Sequence, residues 1–190
     1  PTPEHASTVC AHETALGIAC TKLISGLAGV YLLRDQAATC APSPQSGKNE
    51  GPGAIQDRSF NDDGSLNFPT VGVNPDVHPY WMPEFFGDTI MVNGKLWPNL
   101  NVEQHQYRLR VLNGSNARFY HLALSNGQSF TQIGAEQGYL PHPLTLSSLL
   151  LAPGERADIL VDFSGLTPGT QVILTNDANA PYPDGDPTDP

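Results

Sequence analysis

The chain has 190 residues, enough to bury a core as one large domain or as a small domain with a fragment beside it. Hydrophobic residues make up 39%, and 18 Gly with 18 Pro suit a turn-rich globular chain rather than a helical bundle. A net charge of −10 excludes nucleic acid as a partner, because the phosphate backbone would repel such a surface.

No apolar run is long enough to span a bilayer as a helix, so a soluble chain without a membrane partner is expected. The cysteines are Cys10, Cys20 and Cys40, an odd number and too sparse for a disulfide scaffold. They leave the compartment open. The chain begins at Pro1 and shows no signal peptide, so it reads as processed or as a piece of something larger.

In chain order, residues 1–35 carry small and apolar residues ending in GLAGVYLLRD, and the stretch from Glu13 to Ile24 is expected to hold a helical turn or two. Residues 36–54 are rich in Ala, Ser, Pro and Gly without periodicity and read as a linker or long loop. Residues 55–176 form a dense series of strands. Asn93-Gly94 accepts positive φ between TIMV and KLW, which predicts a tight hairpin. In YRLRVL, Tyr107, Leu109 and Val111 point one way and Arg108 and Arg110 the other, as a half-buried strand requires. Tyr120, Leu122 and Leu124 likewise share a face opposite His121. ADILVDF groups Ile159, Val161 and Phe163 against Asp158 and Asp162, and TQVILTN follows the Pro168-Gly169 turn. Pro153-Gly154 and Asn113-Gly114 mark further turns. Residues 177–190 are turn-formers at nearly every position and form a tail. Seven or more short strands with turns between them predict an all-β antiparallel sandwich.

The strings IQDRSFNDDGSLNFP (55–69), PEFFGDTIMVNGKLWPNLNVE (83–103), YRLRVLNGSNARFYHLAL (107–124), FTQIGAEQGYLPHP (130–143) and LAPGERADILVDFS (151–164) resemble the second domain of multicopper oxidases. The subgroup they resemble is that of bacterial spore-coat laccases, bilirubin oxidases and phenoxazinone synthases. HETALGI and SGLAGVYLLRD, within 12–35, resemble the segment that closes the family's first domain. The resemblance implies a cupredoxin-like Greek-key β-sandwich preceded by a partial N-terminal cupredoxin remnant. It also implies a three-domain parent enzyme that oxidises phenolic or bilirubin-like reductants and reduces dioxygen to water. The middle domain there is a spacer without copper ligands, and a secreted or cell-surface location is admitted.

A blue copper site takes a thiolate, two imidazoles and a weak axial thioether. None of Cys10, Cys20 or Cys40 is flanked by two His, and Met82 and Met91 read as structural residues of strands or loops. Of the His-x-His pairs that the resemblance implies for a trinuclear cluster, only one position falls in this chain, at His12-Glu13-Thr14. His12 matches the first ligand, while Thr14 stands where the second imidazole is needed, and threonine does not replace it. A single imidazole binds copper weakly. The expectation is therefore copper in the parent family, none on this chain alone, and a copper-bearing domain or chain as the partner completing the oxidase. A phenolic substrate belongs only to the complete enzyme.

Other readings compete. His12 also reads as an ordinary histidine of a diverged segment. Cys10, His12, Cys20 and Cys40 supply a zinc-like donor set, but their spacing fits no standard zinc module, and a disulfide or free thiols fit as well. Asp57-Arg58 and Glu155-Arg156 with Asp158 read as surface or strand-edge ion pairs, each worth under about 1 kcal/mol. His105, His121 and His142 are scattered, and His78 lies beside Tyr80 and Trp81 in a loop. Those aromatics would line a carbohydrate groove or cover the sandwich edge. The main alternative to an oxidase segment is a non-catalytic cupredoxin-like structural or interaction module.

Overall fold

The computed structural model describes residues 6–12, 18–34, 44, 47–69, 71–72, 74, 76–77, 82, 84–136 and 138–188. Its N-terminal part is a hairpin, β1 (Ser7–His12) and β2 (Ala28–Leu33), with a short helix α1 (Ala19–Ile24) between the strands. β1 and β2 pair antiparallel, with Cys10 opposite Val30 and His12 opposite Ala28.

The rest is a sandwich. A seven-stranded sheet runs β5 (Lys95–Leu96), β4 (Thr89–Val92), β3 (Glu50–Arg58), β6 (Gln106–Asn113), β11 (Arg156–Asp162), β8 (Phe130–Ala135) and β9 (Gly138–Leu146). A three-stranded sheet runs β10 (Ser148–Leu151), β7 (Tyr120–Leu124) and β12 (Leu174–Asn176). All pairings are antiparallel except β3 with β6. Among the described residues no helix is long and apolar enough to cross a membrane.

The predicted alternation positions the core. Tyr120, Leu122 and Leu124 from β7 meet Val111, Ile159 and Val161 from β6 and β11, with Phe130, Leu149 and Leu151 completing one cluster. The Asn93-Gly94 turn has φ of +50° and +79°, the left-handed pair that closes a two-residue hairpin. Asn93 also holds the neighbouring strand: its Oδ1 accepts from Ala54 N at 2.9 Å and its Nδ2 donates to Pro52 O at 2.8 Å.

Two boundaries differ from the sequence expectation. β3 starts at Glu50, inside the stretch read as linker, because Glu50–Ile55 pairs in parallel with Arg108–Asn113 despite its Gly and Pro. Tertiary pairing overrides composition there. At the other end, only Leu174–Asn176 of TQVILTN is strand.

Candidate functional site

The charged residues of β6 are the largest departure from the sequence reading. Arg108 and Arg110 do occupy the face opposite Tyr107 and Val111, yet that face is not solvent-exposed: Arg108 is 0% and Arg110 3% accessible. β1 lies against this side of the sheet, with Thr8 2% accessible. Register explains the charge pattern, since Asp158 of β11 stands directly across from Arg110, and Glu50 of β3 across from Arg108. Opposite charges at facing positions are a favourable cross-strand pairing.

The Asp158 carboxylate accepts from Arg108 Nε at 2.9 Å and Nη2 at 2.5 Å, and from Arg110 Nη1 at 3.2 Å. Glu50 accepts from Arg110 Nε at 2.7 Å and from Arg34 Nη2 at 2.9 Å. Arg108 Nη2 also donates to Tyr139 Oη at 2.8 Å. Burial pushes the Glu50 carboxyl up, but the hydrogen bonds and charges of Arg34 and Arg110 outweigh it and leave it below the ordinary 4.5. Burial acts against the Arg108 cation too, but the hydrogen bonds and charges of Asp158 and Tyr139 together outweigh it.

This lattice grips the N-terminal hairpin. Arg110 Nη1 donates to Thr8 Oγ1 at 2.9 Å, and Arg156 Nε donates to Thr8 O at 3.2 Å. Arg156 is in turn held by Glu136, through an ion pair and through its Nη2 donating to Glu136 O at 2.8 Å.

A second buried group grips α1. Arg58, 1% accessible, donates from Nη2 to Leu23 O at 2.8 Å and from Nη1 to Asp57 O at 2.7 Å. Asn116 Nδ2 donates to Cys20 O at 3.0 Å. Asp57, fully buried, accepts at Oδ2 from Gly87 N at 2.7 Å and Arg118 Nε at 3.0 Å. Gly87 is required there, because a Cβ would lie 2.4 Å from Arg58 N. Ser115 and Tyr120 finish the group: Ser115 Oγ accepts from Asp57 N at 3.1 Å and shares a 2.8 Å hydrogen bond with Tyr120 Oη. Burial, then the Asp57 charge, raises the Tyr120 phenol well above its ordinary range and keeps it neutral.

The expectation that Asp57, Arg58 and Asp158 form surface pairs is thus corrected. Their side chains face segments that composition alone did not place against the sheet. The partners expected also differ: Arg58 bonds backbone carbonyls, Asp57 pairs with Arg118, and Glu155 is exposed while its carboxylate caps Ala152 N at 2.8 Å.

The structure places His12 at the exposed end of β1. Thr14, Cys40, His78, Tyr80 and Trp81 lie outside the described residues. Cys10 and Cys20 are half-buried and not joined to each other, and burial raises the Cys10 thiol. Among the described residues no three His, Cys, Asp or Glu side chains converge as a metal-binding group. His105 is exposed near Glu103, and His142 is exposed on β9.

His121, scattered from the other histidines in sequence, is the centre of a polar chain. Its Nδ1 lies 2.5 Å from Asp177 Oδ1 and its Nε2 2.9 Å from Ser148 Oγ. Sequence spacing gives no hint of this, since Ser148 belongs to β10 and Asp177 follows β12, on either side of β7.

Residues 45–185 match the family model for multicopper oxidase. The chain belongs to the multicopper oxidase family. Multicopper oxidase LPR1 of Arabidopsis thaliana is 45% identical over 93% of this chain and 30% of the relative. A laccase of Bacillus subtilis (strain 168) is 40% identical over 94% of this chain and 35% of the relative. Among solved structures, the McoA multicopper oxidase of the hyperthermophile Aquifex aeolicus superposes with a TM-score of 0.84 at 34% identity. That match covers 97% of this chain and 40% of McoA. The chain thus spans about a third of the length of these curated multicopper oxidases.

Proposed function

We propose that this chain is the connecting part of a laccase-like multicopper oxidase: it fixes the end of a first cupredoxin domain onto a second one and carries no oxidase chemistry alone. The divisions read from the sequence, 1–35, 36–54, 55–176 and 177–190, describe that role, with β3 reaching back into the second of them.

One observation carries the reading. The hairpin and α1 are held to the sandwich by buried charged and polar side chains, not by a loose linker. Such a junction fixes orientation, because each buried charge must keep its partner or meet a large desolvation cost. In an enzyme whose redox centres sit in other domains, fixed orientation is the contribution a spacer can make. His12, at the exposed end of β1, is the residue that would contribute to copper binding, and it needs donors from another domain or chain. Copper, when held there, supplies electron transfer and dioxygen chemistry. The residues of this chain supply only the frame. Phenols or similar reductants, with dioxygen, are the substrates of the complete enzyme in this reading.

The test is copper per chain by atomic emission, together with oxidation of a phenolic dye. The chain alone is expected to hold well under one copper and to show no oxidase activity. A copper-bearing partner carrying the missing domains should raise both, and His12→Ala should lower the gain. Tight stoichiometric copper with dye oxidation by the chain alone would overturn the proposal.

A further inference from the structure

The polar chain through His121 lies on the outer face of the three-stranded sheet, away from the sandwich core. Three neighbouring strands build it. Ser148 opens β10, His121 lies on the central β7, and Asp177 follows β12. Asp177 can only accept as a carboxylate, so the 2.5 Å contact places the imidazole proton on Nδ1. Nε2 is then free to accept from the Ser148 hydroxyl at 2.9 Å. A hydroxyl, the far imidazole nitrogen, and a carboxylate on the near nitrogen are the three roles of a serine nucleophile site, which is recognised by geometry and not by sequence order.

The surroundings add a place for a substrate. His121, Leu150, Asp177, Ala178, Asn179, Tyr182 and Pro183 line a cleft of about 260 Å³. Leu150 stands two residues from Ser148 on the same face of β10, and His121, whose Nε2 meets the Ser148 hydroxyl, is part of the cleft wall. Its wall is fixed by Asn176, whose Oδ1 accepts from His121 N at 2.8 Å and Ala178 N at 3.1 Å. Tyr182 is stacked on Phe119 with ring centroids 4.9 Å apart. β10 is the edge of its sheet among the described strands, so one row of its backbone groups lies outside the ladder.

We propose that Ser148, His121 and Asp177 form a second site, unrelated to copper, that hydrolyses small uncharged esters. Ser148 Oγ attacks the ester carbonyl carbon as its proton passes to His121 Nε2. The imidazolium returns that proton to the departing alkoxide, leaving the acyl group on Ser148. Water then gives a proton to Nε2 and attacks the acyl carbon, and Ser148 recovers the proton as the carboxylic acid leaves. No oxidant or metal is consumed. An uncharged ester is favoured because the net charge of −10 and the adjacent Asp177 repel anions, while Leu150, Ala178 and Pro183 accept an apolar acyl or aryl group. Asp177 is the positioning residue.

The 190-residue chain is incubated with diisopropyl fluorophosphate and mapped by peptide mass spectrometry, with p-nitrophenyl acetate hydrolysis measured in parallel. Modification at Ser148 is expected above every other serine, and His121→Gln should slow both labelling and hydrolysis by about a hundredfold. Ser148→Ala should abolish the acyl-enzyme burst with the far-ultraviolet circular dichroism unchanged. Asp177→Asn should slow labelling, and Asp177→Glu, which keeps the carboxylate, should restore part of the rate. Labelling of Ser148 no faster than of other serines would overturn the proposal without any variant having to fold. So would p-nitrophenyl acetate turnover that survives Ser148→Ala, which would reveal the imidazole or surface amines as the nucleophile.

Discussion

The two faces of the seven-stranded sheet are built on different physics. One face is apolar and meets β7 and β10 through Val111, Ile159, Val161 and their partners. The other carries Arg108, Arg110, Asp158 and Glu50, and is covered by the hairpin of β1 and β2. Both faces are buried, so burial alone does not separate them. Tolerance does: an apolar face loses stability in proportion to the atoms removed, while an ionic face fails when one partner leaves the others unpaired.

Removing the shared carboxylate should therefore be the most damaging change. Asp158→Ala leaves two buried guanidinium groups short of their anion and is expected to cost about 3–5 kcal/mol in urea unfolding. Leu122→Ala in the apolar cluster should cost about 3 kcal/mol, with β1 still docked. If the apolar change proves the larger, the ionic face is less dry than its accessibility indicates.

Acid separates the two faces without mutation. Glu50 is held below its ordinary 4.5 in the folded chain, so as pH falls through that region the unfolded chain takes up a proton that the folded chain still refuses. Its contribution is present above 4.5 and is lost as pH falls through the folded value. Glu50→Gln should lower stability near neutral pH and flatten the acid limb measured by thermal unfolding, while Leu122→Ala should shift the whole curve with its slope unchanged.

The same contrast explains what the sequence made legible. Alternation in YRLRVL and ADILVDF locates the apolar face, because apolar side chains have one dominant reason to repeat every second residue. The arginines between them carry no equivalent signal. Charged alternates read as solvent-facing until a covering strand is known, and the residue that covers them, Thr8, lies 102 positions from Arg110. The available hint was complementary charge: two arginines on one strand and Asp158 on another that pair antiparallel. Gly and Pro in Glu50–Ala54 hid the start of β3 for a different reason, since partner strands can order a segment whose own propensity is poor. His12 is proposed from the family resemblance alone. The contact of Ser148, His121 and Asp177 was not legible at all, because β10, β7 and the residue after β12 are separated in sequence and meet only in the sheet.

Whether the hairpin is locked or merely resting on the sandwich is the central question, and native-state hydrogen exchange answers it directly. β1 pairs only with β2 among the described strands, so its amides would open locally if the buried lattice did not hold it. The account predicts that Val9 and Val30 exchange with the same opening free energy as Leu109 and Ile159, and that Asp158→Ala lowers protection of the hairpin before that of the core. Exchange of Val9 and Val30 at rates of a frayed terminus, with β6 and β11 fully protected, would contradict it.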